Sequence, residues 1–248
     1  MDQVLLYFNL KYKGNWDKIY DALEHKERIE ASDLEDIEKR INCKYITILD
    51  KRYPNNLRMS YRPPFVLFYE GDINLLYRYY DTVALFCDEN PNTTGPSIES
   101  ICDETAASKY VILTNYETGS GESIINYCNA KKIKAISFLS GPIYNSFLNH
   151  AALKTLAHNG GLVISECYEN LYSDENDDNF SFRVVSGLTD NVILVNIPLN
   201  RSWMTTIKCI SIAGSHIYGV NSDESTALQL ERCGVTMVDK YTNILETI

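Results

Sequence analysis

Ser165 and Glu166 close one apolar run of this chain, and Arg183, Ser186, Gly187 and Leu188 stand just ahead of the next. A hydroxyl and a carboxylate at a strand end can orient a loop, or they can simply close the fold. A guanidinium a short connection away can bridge two oxygens of a phosphate. Arg183 could equally form a structural pair with one of the acids in Asp174–Asp178. Ser202 and Thr205 fall at the start of an expected helix, where free backbone N–H groups attract anions, although ordinary N-capping by Ser202 explains them as well. Thr118-Gly119-Ser120-Gly121 is a Gly-rich turn between a strand and a helix, a geometry that can cradle phosphate. It lacks the Lys-Ser/Thr of a P-loop, and Glu117 and Glu122 flank it with the wrong charge.

No catalytic set is visible, so neither enzymatic activity nor a cofactor is expected. His25, His150, His158 and His216 lie in different segments and pair with no Ser or Cys nucleophile. Asp88-Glu89 are adjacent carboxylates, which fit an exposed turn better than an acid–base pair. The seven cysteines are scattered without a Cys-x-x-Cys pair, which favours reduced thiols in a cytoplasm and argues against a metal site. Tyr77, Tyr79 and Tyr80 have rings that can stack on bases, but the cluster reads better as the packing of a domain seam.

The elements that must position these groups follow from periodicity. Residues 1–43 read as short helices: Asn15 can cap one bearing Trp16, Ile19, Tyr20 and Leu23, and Ser32–Glu35 reads as a capping box ahead of another. Residues 44–81 read as a connecting segment, with a β-prone stretch at 45–49, a stop at Tyr53-Pro54 and an extended run from Pro63 to Tyr69. From residue 82 to 248, short apolar strands alternate with helical stretches. The strands are expected at 83–86, 110–113, 135–139, 162–164, 192–197, 216–220 and 235–238, and the clearest helices at 143–158 and 203–213. That alternation predicts an α/β, Rossmann-like parallel sheet covered on both faces, with functional loops at the C-terminal strand ends. Ser173–Asp178 reads as a solvated loop. No apolar run is long enough to span a membrane, and the N-terminus has no secretory signal pattern.

The net charge of −10 is carried entirely by one part of the chain. Residues 1–70 hold twelve basic and twelve acidic side chains, whereas residues 71–248 hold eleven against twenty-one. A protein that grips a phosphate backbone normally presents a basic stripe, so this balance lowers the expectation of tight nucleic-acid binding.

From Lys44 onward the chain resembles the DNA-processing protein A family (DprA, also called Smf). Tyr53-Pro54 with Leu57, then Pro63-Pro64, Leu67, Tyr69 and Gly71, match its opening blocks. Asn149, Gly160-Gly161, Ser165-Glu166 and Arg183 with Ser186-Gly187-Leu188 follow in family order, as do Ser202 and Thr205, Gly234, and Ile244-Leu245. The resemblance implies a non-enzymatic protein of DNA uptake and recombination that binds single-stranded DNA and helps load a RecA-type recombinase. On that basis Arg183, Ser186, Gly187, Ser202, Thr205, Gly119, Asn149, Ser165 and Glu166 are the candidate DNA- and phosphate-binding residues. Lys131, Lys132 and Lys134 are expected to assist Arg183.

The departures point the other way. Cys87-Asp88-Glu89 stands where the family has Gly-Ser-Arg, and of its second Gly-rich loop little but Gly119 is kept. DNA binding is therefore expected to be weak. The rival expectation is a degenerate relative that acts as a protein-interaction partner, or a nucleotide-binding Rossmann-like protein. By resemblance, a homodimer or a heterodimer with an intact DprA is expected, built around Ile217, Tyr218, Leu228, Leu230, Val235, Met237, Ile244 and Leu245. No winged-helix domain is expected after the last block.

Overall fold

The computed structural model describes residues 1–88, 96–169 and 178–248. The chain opens with α1 (Asp2–Lys11), α2 (Trp16–Glu24) and α3 (Ala31–Leu34). Asn15 caps α2 by accepting the Lys18 N–H at 3.0 Å, and Ile19 and Ala22 pack on Phe8. The capping box expected at Ser32 does not form. Ser32 lies inside α3, and Asp36 breaks the helical path at φ 62° before a single 3-10 turn over Ile37–Arg40. A short polar side chain tolerates that left-handed conformation better than most.

Next come β1 (Lys44–Thr47), α4 (Asn55–Met59) and β2 (Val66–Gly71). Strand–helix alternation then begins with β3 (Thr82–Cys87), α5 (Ile98–Ala107), β4 (Val111–Asn115), α6 (Gly121–Lys131) and β5 (Ala135–Phe138). It continues through α7 (Ile143–Asn149), α8 (Ala151–His158), β6 (Leu162–Ser165), α9 (Asp178–Leu188) and β7 (Asn191–Val195). The remaining elements are α10 (Arg201–Ile212), β8 (His216–Val220), α11 (Glu224–Arg232), β9 (Thr236–Met237) and α12 (Tyr241–Thr247). The helix expected over 143–158 is two helices. It breaks at His150, whose ring packs on Tyr116 with centroids 5.0 Å apart.

The nine strands of the described residues join one sheet in the order β1-β2-β6-β5-β4-β3-β7-β8-β9. Strands β3 to β9 run parallel, while β2 pairs antiparallel with both β1 and β6. The segment that reads as a connection thus contributes two strands to the sheet. Every residue of β3, β4, β5 and β6 is buried, as parallel strands covered by helices on both faces require. One face packs Leu5, Leu6, Ile101, Ile124, Leu153 and Ile244 of the covering helices. The other packs Leu57, Val184, Val185, Ile207 and Leu230. At Gly187 a Cβ would come within 2.4 Å of Leu57 Cδ1 and 2.8 Å of its Cα, so α4 and α9 meet backbone to backbone.

The C-terminal apolar residues mostly serve this core. Ile217, Leu230, Val235 and Ile244 are buried, and Tyr218, Met237 and Leu245 pack partly against them. Of that set Leu228 alone is exposed, at 51%. Among the described residues no helix is long and apolar enough to cross a membrane.

One buried charge ties distant parts together. Arg183 in α9, only 8% exposed, donates to the Glu166 carboxylate and to the Arg62 carbonyl. Arg62 precedes β2 and holds φ 50°; Glu166 follows β6, and its own carbonyl accepts from Asn9 Nδ2 of α1 at 3.1 Å. Removing one partner of a buried pair strands the other. Arg183→Ala is expected to cost about 3–5 kcal/mol in urea unfolding, and Arg183→Lys to recover only part of it, because an ammonium lacks the planar fork. A loss below about 1 kcal/mol would mean the pair behaves as a solvated surface contact.

Candidate nucleic-acid interface

β3 lies between β4, which follows it, and β7, which comes much later, so the winding direction reverses there. In open α/β sheets the crevice outside such strand ends is the usual ligand site. Here it is a cavity of about 310 Å³. Cys87 and Asp88 line it from β3, Asn115, Thr118 and Gly119 from β4, and Ser140 from β5. Asn200, Ser202 and Thr206 close it from the start of α10, with Phe182 and Trp203 as its aromatic wall.

The Gly-rich turn is used internally. Gly119 holds φ 54°, and a Cβ there would sit 2.6 Å from the Cys87 carbonyl. The Ser120 N–H donates to that carbonyl at 3.0 Å, and the Gly121 N–H donates to Thr118 at 3.0 Å. One donor faces the end of β3 and the other closes the turn on itself. Glu117 goes further: its carboxylate accepts the Gly141 N–H at 2.8 Å and the Ser146 hydroxyl at 2.8 Å. The loop after β5 therefore already holds an anion, and that anion belongs to the chain. Asn115 fixes the neighbouring turn, donating to Ser140 Oγ at 2.7 Å and accepting the Glu117 N–H at 2.8 Å.

At the other wall, the cap of α10 is Asn200, which accepts the Trp203 N–H at 2.9 Å. Ser202, read as the cap, is an exposed first-turn residue two positions past it. The Thr205 hydroxyl turns back to the Arg201 carbonyl at 2.9 Å. The carboxylate on the cavity wall is Asp88, and no Lys or Arg of the described residues lines it. A phosphate oxygen about 4 Å from Asp88 would meet a repulsion of roughly 4 kcal/mol at an effective dielectric of 20, before screening. A cation there would gain the same amount.

The candidate residues thus fall into separate groups. Gly119 and Ser202 line the crevice, with Thr205 beside it on the helix surface. Ser165, Glu166 and Arg183 form a second group at the end of β6. There Ser165 Oγ donates to the Gly141 carbonyl at 2.8 Å and accepts the Cys167 N–H at 3.0 Å. Ser186 is buried against its own helix and Gly187 packs on Leu57, while Asn149 is exposed in the last turn of α7. Lys131, Lys132 and Lys134 sit between α6 and the start of β5, at the opposite end of the sheet from Arg183. They cannot share a phosphate site with it. Tyr77 and Tyr80 are 51% and 76% exposed, so neither packs a seam, and both precede β3 at that same far end. Glu89 and Asp174–Asp177 lie outside the described residues.

Sequence reading passed over Arg62, Asn115 and Thr206, and took Glu117 only as an unfavourable charge. The Cys43 and Cys167 thiols are both pushed up to about 12, chiefly by burial. They are therefore protonated and unreactive at neutral pH.

Comparison with known proteins follows this geometry. DNA processing protein A from Streptococcus pneumoniae superposes with a TM-score of 0.68 at 18% identity, covering 99% of this chain and 93% of that one. DNA processing protein A from Helicobacter pylori, studied for its unique single-stranded DNA binding mode, gives 0.65 at 19% identity, covering 83% and 96%. At such identities the likeness speaks for the fold. No curated protein matches the chain. The sequence profile of DNA recombination-mediator protein A matches residues 44–247, and the chain therefore belongs to the DNA recombination-mediator protein A family.

Proposed function

We propose that this chain is a recombination mediator that binds single-stranded DNA through few phosphate contacts and works without catalysis, in the cytoplasm, beside a RecA-type recombinase. The observation that supports this is the family match over residues 44–247 on the fold of a relative described for single-stranded DNA binding. Weak binding follows from the interface. Arg183 is buried in its pair, Glu117 fills the loop after β5, and Asp88 stands in the crevice. Arg183 then acts as a positioning residue that holds α9 against the end of β6. The second reading, a relative that has exchanged DNA for a protein partner, is favoured by those same three carboxylate and guanidinium placements.

Three measurements separate these readings. Anisotropy titrations of labelled oligo(dT) at rising salt should give a shallow log–log slope near −2, the value for about three contacts at roughly −0.7 each. A slope steeper than about −5 would show many phosphate contacts, and no binding even at low salt would support the second reading. Replacing Asp88 with Ser together with Glu89 with Arg should tighten binding by about tenfold or more, through one charge-assisted donor gained and repulsion removed. An unchanged affinity in the folded double variant would place the strand elsewhere. Finally, a two-fold homodimer, or a heterodimer with an intact family member, can use Leu228 on α11. Leu228→Asp should then give a monomer by light scattering with an unaltered melting temperature; a persisting dimer would exclude this face.

A further inference from the structure

The end of the sheet opposite the crevice carries a different charge. The pairings of Thr82 with Val111 and of Ile112 with Ala135 set the starts of β3, β4 and β5 side by side, with neighbouring strands about 5 Å apart. Lys109 stands ahead of β4, and Lys132 and Lys134 stand ahead of β5; all three are exposed. Among the described residues none of them forms a salt bridge. The carboxylates at this end are engaged with other groups. Asp81 pairs with Arg78, Asp103 accepts the Tyr127 hydroxyl at 2.8 Å, and Asp190 lies beside the Tyr79 hydroxyl.

The helix ends show that the fold itself does not ask for two of these lysines. Helices α5, α6, α8 and α11 all close on the same pair of backbone hydrogen bonds: one residue donates three positions back, and its successor donates five positions back. After α8 and α11 the first of the two is Gly160 (φ 83°) and Gly234 (φ 92°), the residue type that this left-handed geometry prefers. After α5 and α6 it is Lys109 (φ 67°) and Lys132 (φ 58°), which adopt it only at a cost. A cation at a helix C-terminus complements the macrodipole, but α6 already has Lys131 in its last turn. Beside Lys109 on the other flank is Tyr80, 76% exposed ahead of β3, and Arg78 ties the two segments by donating to the Lys109 carbonyl at 3.1 Å. Cations for phosphates next to an open ring for a base are the means by which single strands are held.

We propose that single-stranded DNA runs across this end of the sheet, with Lys109, Lys132 and Lys134 on its phosphates and Tyr80 under one of its bases. The inference rests on the single-strand reading above and gives that strand a path away from the crevice. Three lysines on three phosphates correspond to the salt slope near −2 expected there, at roughly −0.7 per contact.

Lys109→Gly combined with Lys132→Gly tests the path, because glycine suits both backbone positions and the change removes only the cations. Labelled oligo(dT) should bind this variant about tenfold or more weakly at low salt, with the log–log slope falling from near −2 to near −0.7. Its melting temperature should not fall; a lower melting temperature with unchanged binding would show that the lysines serve the helix ends, and would overturn the proposal. Arg201→Gln with Lys208→Gln removes the same charge from α10, where both are exposed. That variant should alter affinity less than about twofold, since distant charges are screened, and a loss equal to that of the glycine variant would overturn the path. Tyr80→Ala should weaken binding about fivefold or more, and wild-type affinity in it would equally count against the proposal. If the wild type binds oligo(dT) and the glycine variant binds it as well, the path alone is wrong and the single-strand reading stands. If the wild type binds none even at low salt, both fall. Should phosphatidylglycerol vesicles, rather than oligo(dT), be what the glycine variant ceases to bind, this end is a membrane contact and the proposal is overturned.

Discussion

The guanidinium of Arg183 is the point at which three parts of the chain are fixed to one another. It reaches from α9 to the carboxylate that follows β6 and to the carbonyl of Arg62 before β2. Taking these charges out of water is unfavourable unless each finds a well-placed partner, so the pair demands a particular placement of all three segments. The N-terminal helices depend on it in turn, through the hydrogen bond from Asn9 to the Glu166 carbonyl. Two nitrogens of this side chain are thereby committed to the chain itself. The residue that looks most like a phosphate contact in the sequence is a keystone of the architecture.

Much of the fold was legible because the signals were local. Runs such as Val83–Phe86 and Leu162–Ile164 are apolar without alternation, as strands buried on both faces must be. The order of family blocks from Tyr53-Pro54 to Ile244-Leu245 was equally readable. What stayed hidden depended on contacts between segments. Arg183 and Glu166 were both singled out, but their pairing needs α9 to lie across the end of β6. Glu117 looked like an unfavourable charge beside a Gly-rich turn. Its role appears only once the loop after β5 brings Gly141 and Ser146 to it. The break at His150 and the cap at Asn200 were missed for a simpler reason: Ile143–His158 has no local helix breaker, and Ser202 is as good a cap by type as Asn200.

Family membership and the electrostatics of the crevice point in different directions, which a shared fold permits. The scaffold keeps the winding reversal, the strand-end loops and the helix that closes the crevice. The groups on that scaffold are this chain's own: the Ser120 N–H of the Gly-rich turn donates to the Cys87 carbonyl, an internal carboxylate fills the next loop, and Asp88 lines the crevice. Each of these placements is a matter of one or two side chains, and none disturbs a strand. A binding surface can therefore change sign while the sheet beneath it stays the same.

The position of β3 has a consequence for how the chain matures. It is an interior strand of the sheet, and its neighbour β4 is made soon after it, but its other neighbour is β7, with Val83 opposite Asn191. On the ribosome, β3 keeps one unpaired edge until the chain has grown through residue 195. During that interval a strand that the finished fold buries completely is open to pairing with another nascent chain, as slow, non-local sheets generally are. The same interval delays Arg183, which reaches Glu166 only once α9 has been made. The clamp across β6 can thus form as soon as α9 is made, whereas the crevice beside β3 is closed only later, when α10 follows β7.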